Sequence, residues 1–119
     1  MVTKEAIDAA LSAHAQWKKR LEDALSTGKS EFKVDVVQKD NACQFGQWLN
    51  GLPPQDTRSE DFNKVKTLHA DFHKTAADIL SLALSGKKEE AATMLAYSGK
   101  YSSASGKLVL ALQAWKSKL

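Results

Sequence analysis

Residues 59–84 read SEDFNKVKTLHADFHKTAADILSLAL, and this stretch decides the fold. Phe62, Val65, His69, Phe72, Ala76, Ile79 and Ala83 recur at intervals of three and four. That spacing is one face of a long helix turned toward a core. Ser59 or Glu60 marks its start, and Gly86 follows its end. His69 stands where the pattern calls for an apolar side chain, and His73 lies one turn further on the same side. A buried imidazole without a partner costs free energy, so the pattern itself asks what these rings meet.

Working outward, the same periodicity recurs on both sides. Toward the N-terminus, a helix is predicted from about Thr3 to Thr27, capped by Thr3 and ended by Gly28. Ile7, His14 and Leu21 are seven apart, with Leu11 and Leu25 on the same stripe, so His14 also occupies a core position. Residues 29–39 (KSEFKVDVVQK) read as an irregular connection laying Phe32, Val34 and Val36 on the helices. Asp40-Asn41 then read as the cap of a short helix over about Ala42–Leu49, stopped by Gly51 and kept from resuming by Pro53-Pro54. Toward the C-terminus, one helix is predicted from about Lys87 to Lys118. Its stripe is Met94, Ser98, Tyr101, Ser105, Leu108, Leu112, Trp115 and Leu119, weakened or bent at Gly99 and Gly106. Its two small polar residues leave room and hydrogen-bonding capacity opposite a buried site; close helix packing explains them equally well.

Three long helices and one short one, with no alternating β-branched runs, predict an all-α chain folded as an antiparallel four-helix bundle, the short helix carrying Cys43. At 119 residues the chain is read as one domain. Apolar residues are 43% and charged residues 26%, ordinary for a soluble protein. The formal charge of +3 is mild and its signs are mixed. Lys18-Lys19-Arg20 and Lys87-Lys88 therefore read as solvated helix faces, and no nucleic-acid partner is expected. No stretch approaches the roughly 18 apolar residues of a membrane span, and MVTKEAIDAA lacks the form of a signal peptide. No membrane partner is expected either. A lone cysteine excludes an internal disulfide and fits a reducing compartment, so a cytoplasmic location is expected.

The chemistry-bearing residues are few and well placed. His69-x-x-x-His73 sets two imidazoles on one helical face within reach of one ion. His14 holds a core position, and Cys43 sits at a helix start, where the dipole favours the thiolate. Thus every histidine and the only cysteine fall at inward or helix-start positions. One thiolate and three imidazoles suit tetrahedral Zn2+, while copper and nickel also accept imidazole. A di-iron centre would need inward carboxylates paired with the histidines, and none is present. Four protein ligands leave no open coordination position, and no Ser-His-Asp pattern or Gly-rich phosphate loop occurs, so no enzyme is expected.

His14-Ala-Gln-Trp17, Cys43-Gln-Phe-Gly-Gln-Trp48-Leu49 and His69-Ala-Asp-Phe72-His73 resemble, in order and spacing, the three motifs of the bacterial chemoreceptor zinc-binding (CZB) domain. The resemblance extends from the first helix to the Ser105 region. It implies zinc bound by His14, Cys43, His69 and His73. It implies a cytoplasmic sensory role, responding to zinc or to oxidants such as hypochlorous acid through the zinc-bound cysteine. It also implies homodimers and partners among chemoreceptor or diguanylate cyclase signalling components. Trp17, Phe45, Gly46, Trp48 and Phe72 match the motifs and are expected to wall the site, with Gly46 allowing close backbone approach. Trp115 is expected in the core or at a dimer interface. The commoner family arrangement joins this domain to a signalling or catalytic one, so the 119 residues are expected to be either a stand-alone protein or a domain cut from a longer one.

Overall fold

A computed structural model describes residues 2–30, 33–39, 43–96 and 99–119. The chain order is α1 (Lys4–Thr27), α2 (Val34–Val37), α3 (Gln44–Asn50), α4 (Pro54–Thr57), α5 (Glu60–Leu84), α6 (Lys88–Leu95) and α7 (Lys100–Ser117). All regular structure among the described residues is helical, as the periodicity predicts. The chain measures 45 × 25 × 20 Å, its long axis set by helices of 24 and 25 residues. At 1.5 Å per residue the longer helix alone spans about 37 Å.

The central element is α5, packed by α7, α6, α1 and α2. Its whole predicted stripe is buried, and His73, Ala77 and Leu80 add a second buried flank. A helix covered from several sides needs this wider apolar face. Its ends follow from local chemistry. The Ser59 hydroxyl accepts from the Phe62 N–H, and Glu60 and Asp61 complement the positive end of the dipole. Gly86, at φ 80°, closes the helix by a Schellman motif. There the Lys87 N–H reaches the Leu82 carbonyl at 2.9 Å and the Gly86 N–H the Ala83 carbonyl at 3.3 Å.

The first helix also matches its prediction. Thr3 accepts from the Ala6 N–H, Gly28 caps the end, and Ile7, His14 and Leu21 are buried, with Leu11 and Leu25 packed against the core.

Four readings are corrected. The connection over 29–39 contains a helical turn, α2, which buries Val37 and leaves Val36 42% exposed. Pro53-Pro54 start a turn of helix rather than forbid one: Pro53 caps α4 and Pro54 opens it. A proline lacks only the N–H that a first-turn residue leaves unused. Cys43 itself, in extended conformation, is the N-cap of α3. Asp40, Asn41, Ala42, Phe32 and Ser98 lie outside the described residues.

The largest correction is the last helix, which is two. The helix breaks after Leu95, where Ala96 turns extended at φ −61°, ψ 159°, and Gly99 caps α7. The Gly99 N–H donates to the Ala96 carbonyl at 2.8 Å, and the Ser102 hydroxyl donates to the same oxygen at 3.2 Å. A side chain at residue 99 would place its Cβ 2.5 Å from the carbonyl oxygens of Thr93 and Met94. Gly99 thus does more than weaken a helix: it lets two helices meet at close range. Tyr101, Leu108, Leu112 and Trp115 are buried as predicted, whereas Leu119 is 43% exposed.

Candidate metal centre

The i, i+4 spacing on α5 turns both imidazoles inward, leaving His69 2% and His73 1% exposed. Their Nε2 atoms face each other at 2.9 Å. The Cys43 thiol, carried by the start of α3, stands 3.4 Å from His69 Nε2 and 3.3 Å from His73 Nε2. The Gly46 N–H donates to this sulfur at 3.2 Å, orienting it and favouring negative charge there. Gly46 is itself buried.

The ring protons can be placed by logic. The Val37 carbonyl can only accept, so at 2.8 Å it receives the Nδ1–H of His73. A neutral His73 therefore presents its Nε2 lone pair to the cluster, the state a metal ligand requires. His69 Nδ1 is buried without a hydrogen-bond partner among the described residues.

Burial keeps the His14 and His69 rings neutral. His14 is lowered from 6.5 to about 4, first by desolvation and then by His73. His69 is lowered to about 3 by desolvation, then by His73 and His14. Imidazoles that resist protonation are available as electron-pair donors over the whole physiological range.

Two nitrogens and one sulfur thus converge with no carboxylate among them. Tetrahedral zinc, at about 2.0–2.1 Å from nitrogen and about 2.3 Å from sulfur, separates its donors by about 3.3–3.6 Å. The two sulfur–nitrogen distances match this spacing, and the nitrogen pair is slightly tighter. The donor atoms of Cys43, His69 and His73 all lie within 4.8 Å of one another, so the group is positioned to bind a metal.

His14 belongs to the same surroundings but not to that group of three. Its side chain is 5% exposed and packs on Phe72 with ring centroids 4.2 Å apart. Its Nε2 shares a 2.8 Å hydrogen bond with the Ser105 hydroxyl on α7. All four predicted site residues line one cavity of about 270 Å3, together with Trp17, Arg20 and Val37.

Aromatic rings enclose the cluster. Phe45 stacks flat on His69 at 4.3 Å, and Trp17 meets His73 edge-on at 5.8 Å. Phe72 touches both His14 and His73. Trp48 stands further out, against Phe45 and Trp115, each at 6.1 Å. Trp115 is 5% exposed, so it is core.

One contributor escaped the sequence reading and another was half legible. Val37 acts through its backbone oxygen, which no side-chain pattern reveals. Ser105 had a signal, a small polar residue in an apolar seam, but its partner was not legible.

The profile of the chemoreceptor zinc-binding domain family matches residues 14–80. The match covers more than half of the chain, and the chain belongs to this zinc-binding family. It begins at His14 and includes Cys43, His69 and His73, but ends within α5, short of the Ser105 region. Comparison with curated proteins and with solved structures finds no match. Among the described residues, no helix is long and apolar enough to cross a membrane.

Proposed function

We propose that this chemoreceptor zinc-binding domain chain is a cytoplasmic, non-catalytic sensor whose zinc is held by Cys43, His69 and His73, with His14 as fourth ligand. Bound zinc would supply Lewis acidity and a bond network joining separate helices. The observation that carries the reading is Cys43, the N-cap of the seven-residue α3, within 3.4 Å of imidazoles on the 25-residue α5. A long, buried helix holds its shape by packing, whereas a two-turn helix is marginal alone. Cys43 therefore ties the weakest element to the strongest.

Breaking that tie leaves α3 held by its own packing, chiefly on α1. Chelation would do so. Oxidation of the Cys43 thiolate by hypochlorous acid would do so too, oxygen passing to sulfur as the sulfenic acid and chloride leaving. The released α3 is the proposed signal, read by a chemoreceptor or a cyclic-di-GMP-forming partner in a bacterial homodimer. In this reading residues 1–119 are one domain, an antiparallel four-helix bundle in which a short helix carries the Cys43 ligand.

Hydrogen exchange with and without chelator tests the proposal. Faster exchange confined to residues 43–52 is the expected result, and no regional difference refutes it. The second reading is a bundle stabilised by zinc for partner binding. It draws on the burial of His69 and His73 at the centre of α5, and uniform loss of protection on chelation would favour it.

A further inference from the structure

The four-ligand reading leaves one side chain to account for. His14 lines the cavity, yet it stands outside the group of donors that lie within 4.8 Å of one another. Its Nε2 instead meets the Ser105 hydroxyl at 2.8 Å, across 91 residues of chain. The partner lies on α7, beyond the residues that the family profile matches.

We infer that Ser105 is a latch for His14: its hydroxyl holds the imidazole away from the metal cluster, and His14 must leave Ser105 to become the fourth ligand. The inference rests on the four-ligand reading and adds to it a competitor within the chain. Three observations carry it. The ring is buried against Phe72 and lines one cavity with Cys43, His69 and His73, so its polar alternatives are few: Ser105 or the cluster. The cavity of about 270 Å3 gives it room to turn. Neutral imidazole has one nitrogen that donates and one that accepts, and a ring nitrogen held by a hydroxyl is not free for a metal in that position.

The consequence reaches beyond the site. The other side-chain links from the C-terminal end of the chain to α1 and α5, Lys116 to Asp8 and Lys118 to Asp61, lie on the surface. The His14–Ser105 bond, by contrast, is made by a buried ring. Metal binding would trade it away, so α7 would keep its surface link to α1 through Lys116 and Asp8 but lose the hydrogen bond on its inward side as the fourth ligand engages. Occupancy at α5 is thereby transmitted to α7.

The test is zinc affinity of the intact chain, measured by competition with a chelator, for the unaltered protein and for Ser105→Ala, Ser105→Thr, His14→Ala and the Ser105→Ala/His14→Ala pair. Removing a competing hydrogen bond should tighten zinc binding by about three- to tenfold in Ser105→Ala. Ser105→Thr keeps the hydroxyl and should stay within about twofold of the unaltered chain. Without His14, the Ser105 substitution should have no effect. Weaker or unchanged binding in Ser105→Ala overturns the latch. If His14→Ala leaves affinity intact, the four-ligand reading itself fails, and the latch with it. Nitrogen NMR of the His14 ring is a readout that needs no variant to fold. Zinc must change the ring signals in the unaltered chain, and an unchanged ring refutes the exchange. In zinc-loaded protein the His14 signals of the unaltered chain and Ser105→Ala should coincide, whereas without metal they should differ.

Discussion

Acidifying the metal-free protein should destabilise it well before its carboxylates titrate. His14 and His69 are 5% and 2% exposed and have no carboxylate partner among the described residues, so their folded state disfavours the proton. Their folded values, about 4 and about 3, lie below the 6.5 of the exposed ring. The unfolded chain therefore binds more protons than the folded one, and stability must rise with pH in this window. The contribution is full above 6.5 and is lost progressively as pH falls toward the folded values. At about pH 5.5, one unit below the unfolded value, each ring costs about 1.4 kcal/mol, or roughly 3 kcal/mol for the two. This figure depends only on the folded values lying well below 5.5, not on their exact positions. For a domain of ordinary stability it is a large share of the total and corresponds to roughly 10–15 °C in Tm. Urea unfolding followed by tryptophan fluorescence, in chelator at about pH 7.5 and about pH 5.5, measures the difference. His14→Gln should remove about half of it. Equal stability at the two values would refute the reasoning, because it would mean that both rings accept a proton without leaving the fold.

Three further substitutions test the packing. Phe72→Ala removes a fully buried ring that contacts His14, His73 and Tyr101, and should cost about 3–5 kcal/mol in urea unfolding while loosening zinc binding as His14 loses its support. Gly99→Ala should cost about 1–3 kcal/mol, since its Cβ would stand 2.5 Å from two backbone oxygens. Gly106→Ala, in the same helix with nothing within 4 Å of its Cβ, should instead stabilise by about 0.5–1 kcal/mol. If both glycine variants shift thermal unfolding in the same direction, the close approach at Gly99 is not what holds that junction.

Periodicity and residue chemistry along the chain suffice for the helical class, the spans of α1 and α5, and the candidacy of Cys43, His69 and His73 as metal donors. Those follow from periodicity, caps and residue chemistry, all of which act over a few turns of chain. Thr3, Gly28, Ser59 and Gly86 each ended or began a helix where local rules place them. Tertiary structure alone decided the rest. Gly99 could be read as a weak point, but a break in place of a bend required Thr93 and Met94 to approach it. Val37 became a partner of His73 only because α2 settles on α5 and offers a carbonyl oxygen. Cys43, His69 and His73 meet because α3, seated on α1, brings its N-cap and Phe45 to the histidines of α5, whereas His14 turns to Ser105 because α7 stands beside α1. A hydrogen bond between residues 91 positions apart leaves no periodic trace, since its two halves are specified by separate helices.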